Sequence, residues 1–153
     1  MSVVEEIIEQ WEIDAAIDPT DIKGESIRTP ILHAKYVRML AVWKIKQTNL
    51  KIKLNEVRQE KTRYYNGEMS LEECKAKGID QYQGLKPVRA VLEQMLAADN
   101  DVTKVQMQME AVDTTVYIIE SILKAISARD FQISNYIKPV SYTHLRAHET
   151  SLH

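Results

Sequence analysis

The chain has 153 residues, enough for one domain with one modest core and too few for two. Charged residues make up 27% and apolar residues 44%, which excludes a disordered polyelectrolyte and a membrane-embedded chain. A net charge of −2, taken alone, argues against a nucleic-acid binder, but a sum is silent on where the charges sit.

Only 4 Gly and 4 Pro occur, too few turn residues for a many-stranded sandwich or barrel, so the composition leans helical. Cys74 is the single cysteine. It allows no intramolecular disulfide and no cysteine-based zinc cluster, and a reducing compartment fits. The opening Met-Ser-Val-Val-Glu-Glu carries no basic region and no long apolar run, so neither a secretory signal nor a membrane span is expected, and a cytoplasmic location is.

Residues 1 to 16 place Val4, Ile7, Ile8, Trp11 and Ala15 between glutamates, the pattern of a short amphipathic helix. The segment from Asp18 to Thr29 holds Pro19 and Gly24 and ends in Thr29-Pro30, an N-cap followed by a proline suited to the first helical position. A long helix is predicted from Pro30 to Tyr65, about 54 Å at 1.5 Å per residue, with Asn66-Gly67 as its stop. Along it Tyr36, Leu40, Trp43, Gln47, Leu50, Leu54, Val57, Lys61 and Tyr64 are spaced alternately 4 and 3, a heptad seam with polar breaks at Gln47 and Lys61.

Ser70 to Glu73 reads as a capping box opening a short helix that Gly78 closes. Cys74 lies between Glu73 and Lys75 on that helix, expected at the surface and incidental. Leu85 to Ala98 reads as a further helix with Pro87 in its first turn, and Asp99-Asn100-Asp101 caps the last one. Val102, Val105, Met109, Val112, Val116, Ile119, Leu123 and Ile126 form a second seam. The predicted fold is all-α: two long heptad-patterned helices packed antiparallel, with short connecting helices, assembling as a homo-oligomer. The second seam broadens through Tyr117, Ile118, Ile122 and Ala125, and a helix apolar on most faces needs more than one partner. Val116, Ile118, Ile119, Ile122, Leu123 and Ile126 are therefore expected at an oligomer interface, the alternative being simple burial inside the monomer.

The charges are strongly segregated. Residues 1 to 32 sum to −6, residues 33 to 66 to +7, and the remainder to −3. Lys44, Lys51 and Arg58 recur every seven residues on one flank of the first seam, and Lys46 and Lys53 lie on the other. A solvated coiled-coil surface pairing with glutamates of a neighbour would explain such a stripe. However, the second seam offers few matching acids, chiefly Asp113 and Glu120, and the rod is too one-signed to pair with itself at a spacing of four. A cationic stripe ending in Arg63-Tyr64-Tyr65 fits single-stranded nucleic acid, cations for phosphates and ring faces for bases, and equally another polyanion. The candidate nucleic-acid-binding residues are Lys44, Lys46, Lys51, Lys53, Arg58, Lys61, Arg63 and Tyr64. The acidic segment 1 to 32 is either a solvated face or a surface that docks on a basic rod or partner.

No catalytic machinery is visible: there is no glycine-rich phosphate loop and no Ser, His and Asp set of recognisable spacing. His144 and His148 have the spacing of two ligands on one helical turn, but nothing completes the set, so no metal and no cofactor are expected. Trp11 and Trp43, on apolar faces, are expected to anchor the core.

An ordered series of segments resembles the UvsY-type recombination mediators of T-even-like bacteriophages. They are Ile17-Asp18-Pro19-Thr20, Glu25-Ser26, Pro30 to Tyr36, the rod ending Arg63-Tyr64-Tyr65-Asn66-Gly67, Ala97 to Val102, Ser121 to Ile126 and Arg129 to Ile133. The similarity is collinear over residues 8 to 137. It implies a non-enzymatic factor that binds single-stranded DNA as a homo-oligomer, a ring, and helps the phage recombinase displace the phage single-strand-binding protein in recombination, repair and replication. The family's basic stretch just before the Tyr-Tyr pair implies a DNA contact. Lys61 occupies one such position and Gln59 another, which moves the contact to Arg58 or Arg63. Asp130 stands where the family usually has Gly. The family's C-terminal stretch is missing, and Pro139 to Thr150 resembles the translated read-through of a sequencing adaptor, so the native domain is expected over 1–138 with a non-native tail over 139–153. The competing reading is a structural coiled-coil adaptor docking on an acidic protein partner.

Overall fold

In a computed structural model the chain folds into five helices, α1 (Val3–Asp14), α2 (Ile22–Tyr65), α3 (Leu71–Ala76), α4 (Arg89–Ala98) and α5 (Asn100–Ser151). The backbone is described for residues 1–151 and side chains for residues 1–137; the expected tail at 139–153, with His144 and His148, lies outside the described side chains. No strand occurs among the described residues. The chain divides into two compact units, the first Met1–Lys44 with Thr114–His153 and the second Ile45–Asp113.

In the first unit, α1 starts with a full capping box: the Ser2 hydroxyl accepts from the Glu5 N–H, and the Glu5 carboxylate accepts from the Ser2 N–H. Such caps satisfy donors that a helix start leaves unpaired. The core joins Ile7 of α1, Leu32 and Tyr36 of α2, and Ile119, Ile122 and Ile126 of α5, with Trp11, Met39, Leu40, Trp43, Ile118 and Leu123 packed against them. Both tryptophans therefore serve the core, Trp11 meeting the Tyr36 ring edge-on at 5.6 Å.

This packing takes up within the chain the side chains expected at an oligomer interface. Ile119 is 0% and Ile126 1% exposed, Val116 and Ile122 are also buried, and Ile118 and Leu123 pack on the same cluster. The extra partner that the broad apolar face requires is the chain's own α1, which the sequence treats only as a short acidic helix.

The start of α2 is corrected, from Pro30 to Ile22. Asp21 acts as the cap, its carboxylate accepting from the Gly24 N–H at 3.1 Å, and a Cβ on Gly24 would overlap that carboxylate. Pro30 then sits inside the helix on its exposed side. Its missing N–H leaves the carbonyl of Ser26, also exposed, without a helical donor.

The seam of α2 in this unit, Tyr36, Leu40 and Trp43, is buried or half-buried, and so are Gln47, Leu50, Leu54, Val57, Lys61 and Tyr64 in the second unit. The second unit is built around Met69, Cys74, Leu96, Val102, Val105 and Val112. Cys74 is thus a core residue, 0% exposed, not a surface one. Gly67 and Gly78, at φ of 72° and 70°, close α2 and α3 with the same doubly bonded turn. Glu68 and Gly67 donate back to the Arg63 and Tyr64 carbonyls, and Ile79 and Gly78 to those of Cys74 and Lys75. Ser70 caps α3 by accepting from the Glu73 N–H, but only half of the expected box forms, because the Glu73 carboxylate is engaged elsewhere. The helix expected from Leu85 starts only at Arg89, after Pro87. Asp99, extended at ψ 129°, separates α4 from α5 and caps the latter by accepting from the N–H groups of Asp101 and Val102.

Candidate nucleic-acid interface

The basic rod is the C-terminal three quarters of α2. Between Ile31 and Tyr65 no Pro or Gly interrupts it, and the alternating seam turns one face inward, so the flanking cations are carried outward. In the second unit Lys46, Lys51 and Lys53 are exposed, Arg58 and Lys61 are half-buried and Arg63 is exposed. Lys44 belongs to the first unit, its Nζ 3.2 Å from Glu120 Oε1.

The eight candidate residues differ in how they are held. Lys51 and Lys53 make no ion pair among the described residues. Arg58 Nη2 lies 2.9 Å from Glu93 Oε2, with side-chain exposures of 38% and 57%; such solvent-accessible pairs contribute about 0.2–1 kcal/mol and are readily exchanged for another anion. Arg63 makes a two-pronged pair with Glu73 at 3.0 and 2.9 Å. That contact holds the Glu73 carboxyl below the usual carboxylate range and raises Arg63. Lys61 is more enclosed than Lys44, Arg58 or Arg63, and lies 2.8 Å from Asp101 and 3.5 Å from Asp99. Burial would lower its pKa, but the two carboxylates outweigh it and raise it. The acids come from α3, α4 and the start of α5, so the rod is partly neutralised by residues far from it in sequence.

Tyr64 is engaged in the same way. Its hydroxyl donates to the Asp80 carbonyl at 2.8 Å, its ring packs against Tyr65 and Tyr82 at 5.2 and 5.7 Å, and Lys61 Nζ lies 5.6 Å from the ring centroid. Tyr65 donates to Asp99 Oδ2 at 2.7 Å; burial, with that carboxylate, pushes its phenol up to about 12.

Hollows on this unit include two flanked by the rod's cations. One, of about 520 Å³, is lined by Asn55, Arg58, Gln59, Thr62 and Arg63. The other, of about 590 Å³, brings Lys53 and Lys61 together with Lys77 and Lys104. Lys77 and Lys104 are absent from the sequence-derived set because they lie in the segment of net negative charge, and no spacing links them to the rod. No group of three or more His, Cys, Asp or Glu that could hold a metal occurs among the described residues, and no described helix is long and apolar enough to cross a membrane.

Residues 10–142 match the family described as recombination, repair and ssDNA binding protein UvsY. Two crystal structures of the bacteriophage T4 recombination mediator protein UvsY share the fold. Lattice type II has a TM-score of 0.81 at 19% identity, covering 94% of this chain and 98% of that one. Lattice type IV has a TM-score of 0.78 at 19% identity, covering 92% and 99%. No curated protein sequence matches the chain.

Proposed function

Because the chain belongs to the UvsY family of recombination, repair and ssDNA-binding proteins, we propose that it is a non-enzymatic recombination mediator. It binds single-stranded DNA as a homo-oligomer, a ring, and helps a phage recombinase replace single-strand-binding protein in the cytoplasm of an infected bacterium. The observation that carries the reading is the cationic flank of α2 in the second unit. Lys51 and Lys53 stand exposed without an ion pair among the described residues, and Arg58 is held only by an exposed pair. The hollow shared by Arg58, Gln59 and Arg63 supports a DNA contact displaced from Gln59 onto the arginines beside it.

An antiparallel course of α2 and α5 is supported by the order of their pairs. In the first unit Thr29 meets Arg129 and Lys44 meets Glu120; in the second Gln47 meets Asp113 and Lys61 meets Asp101. With the broad seam of α5 enclosed, we assign self-assembly to the outer face of α2 in the first unit, a reading supported by the exposure of Ile27, Ile31 and Val42 at 59%, 64% and 49%. A second copy fits this face by charge. Arg38 beside it makes no ion pair among the described residues, while α1 presents Glu5, Glu6, Glu9 and Glu12 around exposed Val3 and Ile13.

The test is recombinase filament assembly on single strands already coated with single-strand-binding protein. Addition of this protein is expected to shorten the lag and raise the final extent. An unchanged lag across a range of protein concentrations overturns the mediator role.

A further inference from the structure

The second unit contains a groove that the basic rod alone does not define. Its cations come from three places: Lys53 and Lys61 on α2, Lys77 after α3, and Lys104 on the first turns of α5. Two carboxylates share it, and both are already engaged, Glu60 with Lys77 at 2.5 Å and Asp101 with Lys61 at 2.8 Å. Lys53 and Lys104 are left with no ion pair among the described residues, facing one hollow of about 590 Å³. That volume is in the range of about 300–1,000 Å³ typical of small-ligand sites. Apart from the exposed Gln108, the uncharged lining is aliphatic: buried Val105, half-buried Val57, and Ile79, 37% exposed.

We propose that this groove takes one nucleotide unit of a single strand, with Lys53 and Lys104 on its phosphate and Val57, Ile79 and Val105 beneath its base. The assignment rests on the single-strand reading above and specifies it. Two fixed ion pairs keep the carboxylates from repelling the phosphate, and two uncommitted ammonium groups supply the attraction. An aliphatic floor accepts the face of any base without reading sequence, and the Gln108 amide beside it, both donor and acceptor, favours no one base edge. The floor also requires that the base be unpaired, since a base within a duplex has its faces covered by stacking. The groove thereby gives a physical source for preferring single strands while the aromatic cluster of Tyr64, Tyr65 and Tyr82 is packed on itself.

The test uses the full chain and a labelled oligothymidylate, followed by fluorescence anisotropy over a range of salt. Lys104→Gln is expected to weaken binding and to reduce the slope of log affinity against log salt by about 0.7, the share of one phosphate contact on a single strand. Lys75→Gln, an exposed lysine on α3 that does not line the groove, is expected to keep the wild-type slope. Ile79→Asp is expected to weaken binding to oligothymidylate about fivefold and to an abasic strand by clearly less. Wild-type affinity and slope for Lys104→Gln, with the wild-type protein binding normally, overturn the groove assignment while leaving the mediator reading intact. A wild-type protein that binds no strand overturns both. Tight binding of thymidine monophosphate alone, with strand binding by Lys104→Gln unchanged, makes the groove a free-nucleotide site and overturns its role on the strand.

Discussion

The Arg129 guanidinium on α5 donates to the Glu25 carboxylate on α2 across 104 residues of sequence, with side-chain exposures of 2% and 11%. The same guanidinium donates to Thr29 Oγ1 and to the Ala15 carbonyl, each at 3.2 Å, and Arg28 donates to the Asp14 and Ala16 carbonyls. Helix α1 has no basic residue in its last turn, so these two arginines supply the positive charge that its C-terminus favours. One buried ion pair therefore fastens α1, α2 and α5 of the first unit together. Removing Arg129 alone leaves the Glu25 carboxylate with the more exposed Arg28, at 3.3 Å, as its one cationic partner among the described residues, and Arg129→Met is expected to cost about 3 kcal/mol in urea unfolding, the lower end for a broken buried pair. Replacing both, Glu25→Met with Arg129→Met, is expected to recover part of that loss. A single variant as stable as wild type would show that the pair is dispensable.

The acid side of the stability profile is expected to depend on Asp14. Burial would raise its pKa, but hydrogen bonds from Lys35 at 2.6 Å and Tyr36 at 2.9 Å outweigh it and hold the carboxyl below its ordinary range. A depressed carboxylate stabilises the fold above its unfolded pKa of about 3.9, and the stabilisation is lost as pH falls through the folded value. Asp14→Asn is expected to be less stable than wild type by about 1 kcal/mol at neutral pH, with the difference closing below about pH 4. A difference that stays constant through this window would exclude the linkage.

At the other end of the scale, Tyr65 ties α2 to the junction of α4 and α5 through Asp99. With a folded pKa pushed up to about 12 and an unfolded one near 10, it contributes stability that is complete below about pH 10 and lost as pH rises to about 12. Tyr65→Phe is expected to flatten this alkaline limb and to remove a late step from the phenolate absorbance titration. Tyr36, raised by burial and by Asp14, supplies a second late step that should survive in Tyr65→Phe and vanish in Tyr36→Phe.

What the sequence makes legible here is local. The alternating 4 and 3 spacing marks which side of each long helix turns inward, and Asn66-Gly67, Ser70 and Gly78 mark ends, because caps and seams are set by residues within a turn or two of one another. Thr29-Pro30 misleads for the same reason. It satisfies the local rule for a helix start, yet Asp21 caps earlier, and the α5 Arg129 on Glu25 and Thr29 helps to hold the turn preceding Pro30. The neutralisation of Arg58, Lys61 and Arg63 by Glu93, Asp99, Asp101 and Glu73 depends on tertiary packing, and no spacing announces it. The enclosure of the broad α5 seam by α1 belongs to the same class.

That enclosure separates two kinds of variant. Ile119→Asp puts a carboxylate into the core of the first unit and is expected to unfold it, with loss of helical circular dichroism. Ile31→Asp, on the exposed face of α2, is expected to keep wild-type helicity and to lower the solution mass measured by light scattering. A folded, lower-mass Ile119→Asp would return the interface to α5, and an unchanged mass for Ile31→Asp would remove it from α2.

The most direct measurement of the central claim is the salt dependence of binding to a labelled oligothymidylate, for the wild type and for Lys51→Glu with Lys53→Glu. Both positions are exposed and unpaired among the described residues, so the double variant is expected to fold as wild type. The account predicts wild-type binding that weakens steeply with salt, by about 0.7 in the log–log slope per phosphate contacted, and at least tenfold weaker binding at low salt for the variant. Equal affinity and equal slope in the two proteins, or no binding by either, would contradict it.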